Sequence, residues 1–172
     1  DKWTIMDTAC DYIFTGDKKV DFDIPGTLGI IYNFSLWESL PDNNQYYPFK
    51  NSEEYLSDSG GSDTLNFIYA NLIDINDQLI HKLKNDNTAV LLIDTYNDHG
   101  MAEQRQFFFK LMEAKCKVPV IIGRAYGNLT LEQLQLFSAT DLGTLLVDGL
   151  GDGIFIAAES CGSESTVNQT AF

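Results

Sequence analysis

The chain has 172 residues, 44% of them hydrophobic, including 11 Phe, 8 Tyr and 2 Trp, which is enough apolar material for one domain with a real core and excludes wholesale disorder. Its 25 acidic and 11 basic residues leave a formal charge of −14, which repels nucleic acid and anionic membrane surfaces. No apolar run approaches the roughly 18 residues of a membrane span, and no secretory leader opens the chain.

The first 65 residues are the less regular part. Asp11–Thr15 and Gly29–Phe34 are candidate strands, and the polar stretches Asp42–Gln45 and Ser57–Asp63 read as loops that no core would order. From Asn66 to about residue 157 the pattern becomes orderly. Apolar, β-branched runs at Phe67–Ala70, Ala89–Ile93, Val118–Ile122, Thr144–Val147 and Ile154–Ile156 alternate with amphipathic segments, as βα units feeding a parallel sheet do.

Between these runs, Asp74 is placed to cap a helix with Ile75, Leu79, Ile80 and Leu83 on one face, and Asn87 to stop it. A second helix is expected from near Asp98 to about Lys115, burying parts of Phe107, Phe108, Leu111 and Met112. Thr130-Leu131-Glu132-Gln133 has capping-box spacing for a third, which Gly143 would end in a left-handed conformation. Residues 158–172 read as an exit segment. Together these features predict a single α/β domain over residues 1–172, with a mainly parallel sheet of repeated βα units. Because eight units are not clear, an incomplete or degenerate TIM-like barrel is the form expected.

Chemistry is sparse. Cys10, Cys116 and Cys161 are odd in number, widely spaced and never in a C-x-x-C pair, which argues against a disulfide framework or a self-contained zinc site and for a reducing, cytoplasmic compartment. His81 and His99 have no Cys, Ser or second His at a useful spacing. The most conspicuous feature is the turn containing Asp148, Gly149, Gly151, Asp152 and Gly153. Its glycines would allow a backbone anion cradle, but it lacks the G-x-G-x-x-G order, two aspartates oppose phosphate, and the spacing of a calcium loop is missing. A tight turn or a hinge is the preferred reading. Asp94 and Arg124, each at the end of an apolar run, are weaker ligand candidates: Asp94 as a base that could face Asp148, Arg124 as an anion site or the partner of a nearby carboxylate. No catalytic and no metal-binding residue is assigned.

The segment Asp141-Leu142-Gly143-Thr144-Leu145-Leu146-Val147-Asp148-Gly149-Leu150-Gly151-Asp152-Gly153-Ile154 resembles part of the 4-hydroxy-3-methylbut-2-en-1-yl diphosphate synthase family, also called IspG or GcpE. The resemblance extends upstream through Val118–Arg124 and Leu131–Leu134 and covers about Asn66 to Ile156. It is similar to the long three-domain form, and implies that this chain is the insert between an N-terminal substrate-binding barrel and a C-terminal iron-sulfur domain. The bare ends, Asp1 without Met and Thr170-Ala171-Phe172, suit an excised piece.

What the resemblance implies is a parent oxidoreductase of isoprenoid biosynthesis that opens methylerythritol cyclodiphosphate to hydroxymethylbutenyl diphosphate. It implies a [4Fe-4S] cluster on the parent, with no cofactor in this fragment. The expected partners are the two flanking domains, a second copy of the parent and an electron donor of ferredoxin or flavodoxin type. One departure is Gly123, where the family more often has a polar residue such as His. That weakens a functional reading of this strand end. A free-standing small-ligand domain and an acidic protein-interaction module remain the alternatives.

Overall fold

A computed structural model describes residues 8–57 and 60–172. Within them lie seven strands, β1 Tyr12–Gly16, β2 Gly29–Asn33, β3 Tyr46–Asn51, β4 Asn66–Ala70, β5 Ala89–Ile93, β6 Val120–Gly127 and β7 Gly153–Glu159. All neighbouring pairs are parallel and the order in space is the order in sequence. Parallel strands added always on the same side curl the sheet toward closure. The result is a half-barrel with alternating helices, the incomplete TIM-like form expected from the sequence.

The pleat divides the sheet into two chemistries. On the outer face Ile68, Ala70, Leu91, Ile93, Val120 and Ile122 join one core with Leu79 and Leu83 of α3 (Asp77–Asn85) and Phe107, Phe108 and Leu111 of α4 (Met101–Glu113). Each fully buried side chain of this size contributes about 1.5–3 kcal/mol of transfer free energy. The inner face is aromatic. Tyr12, Tyr47 and Phe67 meet edge to face, Phe14 packs on Phe49 at 4.8 Å, and Phe14 reaches Phe155 at 6.2 Å, joining the first strand to the last. These rings fill the concave side.

The early elements were the least legible. β3 went unread because it contains Pro48, which forfeits a ladder donor. The β3–β4 ladder starts only at Phe49 opposite Phe67, so the missing N–H falls before the pairing begins. Two short helices, α1 (Phe34–Ser39) and α2 (Ser52–Leu56), spring directly from the ends of β2 and β3. In α2 the Asn51 side chain accepts from the Glu54 N–H at 2.8 Å while Glu54 accepts from the Asn51 N–H at 2.9 Å. The polar stretch Asp42–Gln45 is indeed non-regular, whereas Asp58 and Ser59 of the second expected loop lie outside the described residues.

Four local expectations need correction. Asp74 does not cap α3; it accepts from the Asn71 N–H at 2.9 Å, and Asn76 is the cap, accepting from Leu79 at 3.0 Å. The helix ends at Asn85, before Asn87. Thr144–Val147 is not a strand. The capping box at Thr130 opens α5 (Leu131–Ser138), which continues through a π-helical turn, Ala139–Gly143, into α6 (Thr144–Val147). Gly143 therefore sits inside the helical run at φ −60° instead of ending it. A four-residue apolar run cannot distinguish strand from buried helix. Here Leu134, Leu142 and Leu145, all essentially inaccessible to solvent, follow the helical spacing. After β7, which runs on to Glu159, α7 (Glu164–Thr170) folds back so that the Asn168 side chain donates to the Thr8 carbonyl.

Candidate functional site

Arg124 occupies the C-terminal half of β6 and is 7% exposed. A guanidinium has five N–H donors, and all five find partners. Nε and Nη2 engage Oδ2 of Asp141 at 3.1 and 3.0 Å, Nη1 donates to the carbonyls of Asn97 at 2.9 Å and Thr95 at 3.3 Å, and Nη2 also donates to the Asp98 carbonyl at 3.4 Å. The Tyr126 hydroxyl donates to the same Asp141 oxygen at 3.2 Å. Burial and the Asp141 charge together push the Tyr126 phenol above its ordinary range. The π-helical turn supplies Asp141. By widening the helix for one turn it aims this carboxylate at β6, which gives the irregularity a cause. Arg124 thus ties the β5–α4 loop to the α5–α6 helix, and no donor is left for an outside anion.

Asp94, at the end of β5, lies on the opposite face of the sheet from Arg124, by alternation from the outward Ile93 and Ile122. Burial pushes its carboxyl above the usual carboxylate value, opposed by the Thr95 N–H, which donates to it at 2.7 Å, and by the Arg124 charge. Next to it, the Tyr69 hydroxyl donates to Tyr96 at 3.2 Å, and burial raises the Tyr69 phenol further.

The glycine-rich turn is at the other end of the sheet. Asp94 follows a strand whereas Asp148 precedes one, so the two carboxylates do not meet; Asp148 pairs instead with Arg105 of α4. Gly149, at φ +75°, ends α6: its N–H donates to Leu146 at 2.9 Å and that of Leu150 to Leu145 at 3.0 Å, the paired bonds of a Schellman cap. Leu150 then enters the core. Gly151 has φ +89° and lies so close to β6 that a Cβ would sit 2.6 Å from Ile122 Cδ1. Asp152 closes the turn onto the start of β6, its N–H donating to the Val120 carbonyl at 2.7 Å and its carboxylate accepting from the Val120 N–H at 2.8 Å. Gly153 begins β7. Asp148, Gly149, Gly151, Asp152 and Gly153 are therefore one bonded unit joining helix to sheet.

The hollow at the strand C-termini is elsewhere again. Asp17, Asn33, Phe34, Ser35, Phe49, Asn51 and Glu54 line about 260 Å³ beyond β1–β3, and neither Asp94 nor Arg124 belongs to it. Sequence reasoning missed this mouth because it lies in the irregular first third; the available signal was a polar residue directly after or at the end of each early strand. It also missed Lys50, 2% exposed, whose ammonium lies 4.0 Å from the centroid of the Phe34 ring and donates to the Gly60 carbonyl.

The three cysteines do not converge. Cys116 is in the large core, Cys161 packs with Tyr126 and Leu134, and Cys10 lies against the Leu28–Tyr32 cluster. Among the described residues no three His, Cys, Asp or Glu side chains are grouped so as to hold a metal ion, so an iron-sulfur cluster does not fit the side chains present here. His81 and His99 are both exposed. Among the described residues no helix is long and apolar enough to cross a membrane.

The fold and its strand ends define a parallel α/β half-barrel whose buried arginine is held by its own loops. Similar proteins make the class more particular. The chain is 35% identical over 151 residues to "4-hydroxy-3-methylbut-2-en-1-yl diphosphate synthase (flavodoxin)" of Parabacteroides distasonis, covering 88% of this chain and 24% of that protein. It is 27% identical over 162 residues to the synthase of the same name from Phocaeicola vulgatus, covering 94% and 26%, and 32% identical over 99 residues to that of Porphyromonas gingivalis, covering 58% and 17%. The resemblance to the synthase family read from the sequence is borne out by these matches, and the chain spans about a quarter of the length of the first two relatives. No family model and no solved structure matches the chain.

Proposed function

We propose that this half-barrel is a non-catalytic positioning domain within a longer, isoprenoid-pathway oxidoreductase that converts methylerythritol cyclodiphosphate to hydroxymethylbutenyl diphosphate. The carrying observation is that 88% of the chain aligns with only 24% of a named synthase, while its one buried arginine has every donor engaged by its own loops. In this reading a substrate-binding barrel and a [4Fe-4S] domain flank the insert, and the cluster ligands belong to the latter. Electrons come from a donor of ferredoxin or flavodoxin type, the relatives being named for flavodoxin. The parent works in the cytoplasm as a homodimer. The turn from Asp148 to Gly153 fixes the direction in which the last helical run hands over to β7, and any hinge would act through Gly149, where a side chain would meet open space. The charge of −14 supports a role other than binding the anionic substrate.

The test is made in the longer enzyme. Excising this domain with a short linker is expected to lower kcat by at least tenfold while leaving cluster absorbance and substrate Kd unchanged. Asp94→Asn is expected to leave KM and kcat as they are. A tenfold rise in KM from Asp94→Asn would instead assign the strand ends a ligand.

A further inference from the structure

The two edges of the half-barrel are unlike ordinary sheet edges. Among the described residues β1 and β7 each have a partner on one side only, and the devices that usually blunt an edge are confined to their ends, a register shift after Phe14 in β1 and Glu159 closing β7. β1 reads Tyr-Ile-Phe-Thr-Gly and β7 Gly-Ile-Phe-Ile-Ala-Ala-Glu. Tyr12, Ile13 and Phe14 remain 36–40% exposed. The edges also face each other, because the Phe14 and Phe155 rings meet at 6.2 Å across the opening. Edges whose rings touch lie within two side-chain lengths, the width that one intervening strand, at about 4.8 Å from each neighbour, would need. The register fixes what such a strand would meet. The Gly29 N–H donates to the Asp11 carbonyl, and Tyr12 pairs with Gly29. By alternation the N–H group of Ile13 then points to β2, and those of Tyr12 and Phe14, ahead of the register shift at Thr15, point into the seam.

We infer that the seam between β1 and β7 takes an eighth, extended strand from the remainder of the longer polypeptide, which closes the barrel and anchors this domain to its neighbours. The inference rests on the reading of the chain as part of a longer enzyme. The length supports this occupant: the match accounts for only about a quarter of each of the first two relatives, so most of such a chain is available to supply a segment in cis. A strand supplied in cis satisfies both rows of backbone groups without a second molecule.

Hydrogen exchange on the full-length enzyme tests this. Expected is protection of the Tyr12 and Phe14 amides equal to that of Ala89–Ile93 in the centre of the sheet and independent of protein concentration. Fast exchange at Tyr12 and Phe14 beside a protected β5 overturns the inference, and so does protection that grows with concentration, which would assign the seam to a second copy. A pair of variants gives a second readout. Phe14→Pro removes a seam-facing donor that an open edge would not miss, so it is expected to lower Tm by at least 5 °C more than Phe14→Ala; equal shifts count against an occupied seam. A negative result here leaves the positioning role standing, since that depends on the excision experiment and not on exchange.

Discussion

The two halves of the sheet are built on the same plan and stabilised differently. From β4 to β7 the outward residues share one continuous core with α3, α4 and the α5–α6 helix, whereas β1–β3 rest on Leu28, Ile30 and Tyr32 with partly buried neighbours such as Trp37 and Tyr46. The first half compensates with rings: Phe34 stacks on Trp37, Tyr32 meets Tyr46 edge to face, and Lys50 lies over Phe34. Aromatic pairs contribute about 0.5–1.5 kcal/mol each beyond burial, less than a closed aliphatic core. A repeated βα plan therefore need not be repeated in stability, and the β1–β3 half is the one expected to open first.

Matched truncations give the largest effect and bear on this contrast directly. Leu91 and Ile30 are both essentially inaccessible to solvent, at 0% and 1% exposure. Replacing either by Ala falls in the range of about 2–5 kcal/mol. Leu91→Ala is expected near the top, because helices clamp β5 and prevent collapse, and Ile30→Ala near the bottom, because the thinner cluster can close over the gap. Urea unfolding checks the order; equal losses would mean that the halves are equally packed.

Arg124 sharpens the comparison within the better-packed half. Arg124→Met strands Asp141 and three carbonyls in a buried place and is expected to destabilise by about 3–5 kcal/mol. Arg105→Met breaks a pair whose side chains are 32% and 42% exposed, and is expected to change stability by no more than about 1 kcal/mol. Similar losses in thermal or urea unfolding would contradict the claim that the β5–α4 loop hangs on Arg124.

The same contrast explains what could be read in advance. β5 was legible to the residue, since Ala89–Ile93 is a continuous apolar run covered on both faces and bounded by polar residues. The capping box at Thr130 was equally clear, because its signal is local. β3 was hidden by Pro48, whose tolerance depends on where the neighbouring ladder begins. Thr144–Val147 was misread because composition cannot separate a buried helical turn from a strand. Arg124 could be suspected of pairing with a carboxylate, but not with Asp141, which is 17 residues away and lies in a π-helical turn that periodicity does not announce. The seam and the mouth beyond β1–β3 are properties of curvature, which sequence periodicity does not carry.

The glycine turn separates steric contact from backbone conformation. Both Gly149 and Gly151 have positive φ, but a Cβ at Gly149 meets nothing within 4 Å while one at Gly151 runs into Ile122. Gly149→Ala is expected to destabilise by about 1 kcal/mol, the conformational part alone. Gly151→Ala adds overpacking to the same strain and should lose about 2–4 kcal/mol. Losses of equal size in urea unfolding would mean that the contact with β6 is not held.

The smallest expected effect is in pH dependence, where two aspartates, Asp94 and Asp86, act with opposite sign. Burial raises Asp94, so its ionised form opposes folding. That penalty is complete above its folded pKa and is relieved as the pH falls through that value, which lies above the usual carboxylate range near 3.9. For Asp86, burial is outweighed by hydrogen bonds from the Thr88 hydroxyl and N–H and from Tyr55, together with the Lys82 charge, and its carboxyl is held below the usual range. Its contribution is present above the unfolded pKa and lost as the pH falls through the lower folded one. Asp94→Asn should therefore stabilise the domain at pH 7 and converge on the native protein below about pH 4. Asp86→Asn should destabilise it at pH 7, with the difference shrinking in acid. Urea midpoints measured from pH 7 to pH 3 read both. Asp94→Asn losing stability at neutral pH would show that the Thr95 N–H and the Arg124 charge outweigh burial, and that the ionised carboxylate is favoured in the fold.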